Sequence, residues 1–542
     1  MTTDLGNDHA QPSDDTPHPR GDHDTVPFPV AGTAAAPPSE SAPPPESPPP
    51  PEPVPPRTAP REPRAAAAGR TVREAALSLC AVGLVATVIP LVVVQIPDAV
   101  AWVVPPRVAA AGPGAVASLL RASGLALPAM AVAGSLAVLM VRWLRAGPVL
   151  LSGLLILAAA DALGGLVRTV GLIGADRVLH GAGAGIAMAG VVAVVTERRP
   201  RPHSKSQATN DDRRAPAGWW AAFTVAGLAA APELMRHRVG SGNWVVALQP
   251  FPWLTGVALT LGALYAVLAE GTATATARNL FPAAERAQLA LLAAPVAGIC
   301  AIALAVTFPG GQAVTAAAIA DALALAGVAA ITARTASAAR FAVVCAVTGF
   351  TVSPVAGAAT ALTQSSVHSG VILLVAALAG AGLAVATRLP HARAVTATGL
   401  SVAAVGLAGL ELAGMAGVSG HLVAVLCVPV AGGLAAALTA ALRTAGATGA
   451  LAGVVILLAG LVAGYLAAGA VQLHAIAGAV TPPAARAALA AAAGHWALIA
   501  AAVTGAVAVA MACTPGRTGA PQAGQLTAAT PVLGAGGIPD HG

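Results

Sequence analysis

Charge is what this 542-residue sequence has least of: Asp, Glu, Lys and Arg together make up only 10% of it. A soluble domain covers its surface with about a quarter charged residues, so this composition excludes water as the main solvent. Hydrophobic residues reach 56% and the mean hydropathy is +0.76, which calls for lipid instead. Aromatic residues are also scarce, at 3%. Ala, Gly, Val and Leu take their place, and small residues let helix backbones approach closely in a bilayer. The five cysteines (Cys80, Cys300, Cys345, Cys427 and Cys513) are far apart and form no CxxC pair. That spacing excludes a disulfide framework and a zinc site. There is no nucleotide-binding P-loop, no GxGxxG turn and no soluble domain of useful size, so a nucleotide-driven pump in one chain is excluded and no cofactor is expected. The net charge of +6 does not point to nucleic acid, because the basic residues are spread over loops.

Residues 1–70 are unlike the rest. The stretch Pro37 to Pro63 is dense in proline, with scattered Glu, Ser and Arg. It is too polar to pack a core and is expected to be a disordered cytoplasmic tail of polyproline II character. A partner that docks on proline-rich segments is one use for it; an inert extension is the other. The first apolar run begins only near Ala75, which argues against a cleavable signal peptide. A second disordered tail is expected over 514–542.

Crossing roughly 30 Å of hydrocarbon takes about 20 apolar residues. That window predicts spans near 75–96, 123–141, 149–171, 177–195, 217–235, 244–268, 288–308, 312–333, 341–362, 367–387, 394–415, 419–441, 446–470 and 495–513, about fourteen transmembrane helices. With the N-terminus placed in the cytoplasm, the outer connections and outer helix ends hold only Arg107, Arg121, Arg168, Arg177, Arg236, Arg238 and Arg486. The other basic residues fall inside, as the positive-inside rule requires. A miscounted span would invert every later loop. The expected topology therefore has both termini cytoplasmic in a multi-pass protein of the plasma membrane.

The fourth span reads Asp176-Arg177-Val178-Leu179-His180-Gly181, followed by alternating Ala and Gly through Gly185. It resembles the fourth helix of major facilitator superfamily drug exporters, with Arg177 on the motif arginine, Gly181 on the motif glycine and His180 in place of the usual glutamine. In the fifth span Gly218, Gly227, Ala231 and Pro232 fall at the spacing of the antiporter motif, with Met235 and Arg236 where its last glycines would be. Asn243-Trp244 to Pro252 resembles the Trp-rich start of the sixth helix, and Gln364 to Gly370 resembles the turn before the tenth. The chain is thus similar to a divergent fourteen-span drug:proton antiporter. The loop between the second and third spans keeps Arg142 and Arg145 but lacks the motif Asp, and the first span has no carboxylate between Glu74 and Asp98. The resemblance implies an all-α integral membrane fold of two six-helix bundles, 71–270 and 337–513, joined by two linker helices in 271–336.

Ionisable side chains in lipid cost about 2.5–3.5 kcal/mol each at a helix centre, so each one is a candidate for the substrate or proton pathway. Asp161 lies near the middle of the third span, and Arg168 follows seven residues on, two turns along the same face. An Asp161–Arg168 pair reads as a charge relay or as a structural clamp, and the resemblance, in which the third helix is peripheral, favours the clamp. Arg177 takes a coupling role from the resemblance, and His180, at i+3, is placed to act with it. Its ordinary titration range suits a proton relay. Glu411 lies about one turn from the outer end of its span, Glu233 is expected in water at the outer interface, and Asp321 sits near mid-depth in the eighth span. Gly218, Gly227 and Pro232 form the conformational motif, where the proline frees a backbone carbonyl and permits bending.

The expected function is a secondary transporter of the major facilitator type, exporting a small amphipathic or cationic molecule by alternating access, with protons as the candidate coupling ion. The alternative is a non-transporting scaffold or regulator on a degenerate transporter fold. An enzyme is not expected, because the outer connections 97–122 and 471–494 offer only Asp98, Arg107, Arg121, His474 and Arg486, too sparse for a catalytic cluster.

Overall fold

The computed structural model describes residues 64–97, 108, 110–141, 143–167, 169–197, 214–240, 244–249, 251–270, 296, 298, 336–362, 367–388, 391–413, 420–479 and 481–513. Both expected tails and the expected spans 288–308 and 312–333, with Asp321, lie outside these apart from residues 64–70, 296 and 298. The described segments are helical throughout: α1 Arg64–Val93, α2 Pro113–Ser123, α3 Ala126–Met140, α4 Ala146–Gly164, α5 Val170–Glu197, α6 Arg214–Val239, α7 Trp244–Leu248, α8 Pro252–Glu270, α9 Ala336–Leu362, α10 Val367–Ala386, α11 Ala392–Leu412, α12 Gly420–Ile476 and α13 Pro482–Cys513. Among the described residues nine helical stretches are long and apolar enough to cross a membrane.

Several boundaries differ from those read off hydropathy. The connection expected over 97–122 is helical from Pro113, and α2 and α3 together make one apolar stretch from Gly114 to Met140. The connection expected over 471–494 shrinks to a few residues, because α12 runs on to Ile476 and α13 begins at Pro482. Alanine explains both cases: it is too weakly apolar to mark a span, yet it is the best helix former. The expected span 244–268 is broken into α7 and α8, the second opening at Pro252, since proline cannot donate into the helix ladder. Within α12 the backbone is non-helical at Gly446 (φ 68°, ψ 178°), so its two arms are separate helices. Only glycine takes that φ without strain.

Glycine also sets how closely α5 is packed. Gly181 and Gly185, one turn apart, lie against the backbone of Ala126 and Met130 in α3, while Gly183 and Gly190 lie against Leu157 and Leu150 in α4. A Cβ at any of the four would overlap its neighbour. The first arm of α12 repeats this, with Gly432 against Gly380 of α10 and Gly433 against Gly399 of α11. Other partnerships also occur twice: α1 with α8 and α4 with α8, then α9 with α13 and α11 with α13. Between the two sets, α6 packs on α10 and α3 meets α12. Replacing Gly181 by Val is expected to abolish the monodisperse peak of the purified protein, because close-packed helices accommodate overpacking at a cost of about 1–3 kcal/mol or more. Gly171→Ala, where nothing lies within 4 Å, should leave that peak unchanged.

Basic residues at one end of the helices close exposed carbonyls. Arg73 in the third turn of α1 donates to Leu268 O of α8 (2.9 Å), and Arg393 at the start of α11 to Met511 O (2.7 Å) and Ala512 O (2.9 Å) of α13. Arg443 donates to Ala384 O and Thr387 O at the end of α10. Helix C-termini leave four carbonyls without intrahelical partners and carry partial negative charge. The arginines that mark this end in the sequence thus serve as caps for neighbouring helices.

Candidate functional site

The opposite end of the first set holds a buried polar network. Its centre is His180 on α5, 0% exposed. The Nε2 of His180 lies 3.1 Å from Asp161 Oδ1 on α4, and its Nδ1 lies 3.1 Å from the carbonyl oxygen of Asp176 and 3.2 Å from Asp176 Oδ2. Asp161 is held by two further groups: Thr255 on α8 donates to its Oδ2 at 2.5 Å, and the side-chain amide of Gln249, just past α7, donates to its backbone carbonyl. Neither carboxylate oxygen of Asp176 has a hydrogen-bond partner among the described residues, so Oδ2 meets His180 only as an ion-pair approach.

Arg177, 2% exposed, turns the other way. Its Nη1 and Nη2 donate to Gln95 Oε1 (3.2 Å) and Gln95 O (2.9 Å) just past α1, and its Nε to Ser123 O at the end of α2 (3.4 Å). A rigid planar fork of donors is suited to this three-way attachment. Arg177 and His180 are therefore on one helix but hold different neighbours, which separates two roles the expected joint action had merged.

The hydrogen count at His180 is informative. Both ring nitrogens face oxygens that accept when the carboxylates are ionised. Two ring donors satisfy both, as an imidazolium supplies, and the cluster then holds one proton beyond neutral histidine and two carboxylates. With it, Asp161, Asp176, Arg177 and His180 sum to zero charge; without it, one negative charge is buried. A group of helices surrounded by hydrocarbon strongly disfavours the second state.

The remaining candidates are dispersed. Arg168 lies outside the described residues, and the carboxylate of Asp161 is engaged by His180 and Thr255. Glu411 is half-buried on α11 beside Gly494 of α13, apart from the network. Glu233, expected in water, is buried, with its Oε1 3.1 Å from Nη2 of Arg236 one turn on; α6 carries it inward. In the conformational motif Gly218 faces Val385 and Ala381 of α10, Gly227 faces Val93 of α1, and Pro232 lies inside α6. Asp176, Gln95, Gln249 and Thr255 were not nominated from the sequence. Asp176 carried a signal, an acid at i−4 from a histidine in a membrane helix, whereas the other three are ordinary polar residues at helix ends.

No protein-family model and no curated protein matches this chain. Solved structures match it in fold. A POT family transporter in complex with a thioalcohol-conjugated peptide aligns at TM-score 0.54 and 11% identity, over 80% of this chain and 96% of that one. A POT family transporter in complex with 5-aminolevulinic acid gives 0.53 and 12%, over 80% and 96%. The human organic anion transporter MFSD10 (TETRAN) gives 0.51 and 16%, over 80% and 99%. The chain has the fold of major facilitator transporters.

Proposed function

We propose that this protein is a proton-coupled secondary transporter of the major facilitator type, working by alternating access between 71–270 and 337–513, with 271–336 as two linker helices. It is read as exporting a small amphipathic or cationic molecule across the plasma membrane, with both termini cytoplasmic and the fourteen-span drug:proton antiporters as its family. The observation that carries the reading is the buried Asp161–His180–Asp176 chain, which together with Arg177 carries no net charge only when it holds one proton. Charged groups this deep are costly, and a structural clamp alone needs no titratable centre. The fold of the solved relatives supports the transport part, and the doubled set of helix partnerships suits a fixed site with two halves moving about it.

Reconstituting the purified full chain in liposomes tests this directly. A gradient of one pH unit holds enough free energy for about tenfold accumulation at one proton per substrate. Accumulation of an amphipathic or cationic compound that follows the imposed gradient is the expected result. If no compound accumulates with either orientation of the gradient, the proton-coupled reading is lost and a non-transporting regulator takes its place. Glu411→Gln, which leaves the network intact, should change accumulation by less than about threefold. A larger loss would move the coupling site to α11.

A further inference from the structure

Trp220 and Thr224, one turn apart on α6, are both 0% exposed, and among the described residues neither the indole Nε1 nor the Thr224 hydroxyl has a hydrogen-bond partner. The threonine is unusual within this protein. Thr348, Thr351, Thr396, Thr439 and Thr504, also buried, each donate to the carbonyl four residues back at 2.7–2.8 Å. Thr224 does not, although an uninterrupted helix offers it the same carbonyl. An unmade buried hydrogen bond is destabilising, so native proteins rarely keep one without a reason.

Their direction follows from the helix turn. At about 100° per residue, Trp220 and Thr224 lie about 20° and 60° from Gly227 and about 160° and 120° from Gly218. Gly227 faces Val93 of α1 and Gly218 faces α10, and the Trp220 ring lies 6.0 Å from Phe341 of α9, tilted at 56°. The two donors therefore point inward between α1 and α9, where the first set of helices meets the second. Among the described residues of α1, α9, α10 and α12, which pack on α6, none is a buried carboxylate, and the one on α6, Glu233, is paired with Arg236, so no described carboxylate is left to balance a cation here. An indole N–H can only donate, and a hydroxyl facing apolar walls can donate as well.

We propose that Trp220 and Thr224 form a substrate-recognition pair for an uncharged aromatic molecule bearing a hydrogen-bond acceptor, with Phe341 as the ring it packs on. This rests on the transport reading and narrows its cargo to the uncharged amphipathic class. The acceptor arrives with the substrate, which is why the resident protein supplies none.

The test uses the full chain in nanodiscs and in pyranine-loaded proteoliposomes, with three bicyclic probes of similar size. Coumarin is uncharged with a lactone carbonyl, naphthalene is uncharged without an acceptor, and N-methylquinolinium is charged. Wild type is expected to bind coumarin at least about tenfold more tightly than naphthalene. Trp220→Phe and Thr224→Val, which keep much of the shape and remove the donors, should each reduce that preference to about twofold or less. Equal binding of coumarin and naphthalene overturns the proposal and assigns the two donors to water alone. A preference for N-methylquinolinium overturns it as well. Coumarin selectivity that is lost in Trp220→Phe, without coumarin-driven proton flux in wild type, supports the recognition pair and tells against proton coupling, so the two readings fail separately.

Discussion

Asp161→Asn is expected to reduce gradient-driven accumulation from about tenfold to near unity while leaving exchange at equal pH on both sides. Asparagine is nearly isosteric with aspartate, so its carboxamide can still face His180 Nε2 and Thr255 Oγ1, now 3.1 and 2.5 Å from the carboxylate oxygens. What changes is the charge. With Asn at 161, Asp176 and Arg177 already cancel, and a neutral His180 completes an uncharged cluster. The site then no longer requires the extra proton, so the two access states no longer differ in proton content. The ligand can still move, but downhill only, because a gradient does work only through a difference in binding between states. Asp176→Asn should uncouple in the same sense. Accumulation ratio and equal-pH exchange, read from the same vesicles, decide the point. Retained accumulation in Asp161→Asn would remove the Asp161–His180–Asp176 chain as the proton carrier.

Arg177→Met is expected to destabilise the protein by about 3–5 kcal/mol, as breaking a buried charged hydrogen-bond set does. The substitution leaves Gln95 Oε1, Gln95 O and Ser123 O without the donors that now reach them, and it removes the positive charge that balances the acidic pair. Against a total stability of about 5–15 kcal/mol, little folded protein should survive purification. Arg177→Lys keeps the charge but not the fork, since an ammonium on one flexible stem does not span three carbonyl oxygens on two elements. A loss of about 1–3 kcal/mol is expected there. Thermal unfolding in detergent, compared across wild type and both variants, reads the order. If Arg177→Met melts with wild type, Arg177 does not tie α1 and α2 to α5. The position then becomes open to the coupling role the family resemblance implies.

Much of this was legible in the sequence. Hydropathy placed the apolar helices and put a span boundary at Gly446, whereas the span drawn over 244–268 missed the break before Pro252. The tight seat of α5 was written in the glycines at 181, 183 and 185, although only the neighbours Ala126, Leu157 and Met130 show what those glycines make room for. Asp161, Arg177 and His180 stood out because an ionisable side chain in an apolar run is conspicuous by itself. Their partners did not. Asp161 meets His180 across 19 residues and Thr255 across 94, and Arg177 reaches Gln95 across 82. Sequence spacing along one helix suggested Arg168 for Asp161 and linked His180 with Arg177, because i+7 and i+3 are the neighbours a single helix can offer.

The division has one physical cause. Transfer of a side chain between water and lipid is nearly a sum over residues, so composition and local runs alone determined that this is a helical membrane protein and which helix ends carry basic charge. A hydrogen bond is a property of two groups brought to about 3 Å, and which faces meet depends on how every helix is rotated and seated. That rotation, set by the glycine contacts of α5 and of the first arm of α12, decided that His180 lies between two carboxylates. It also decided that Arg177 braces the end of α1 and that Trp220 and Thr224 are buried with no partner among the described residues.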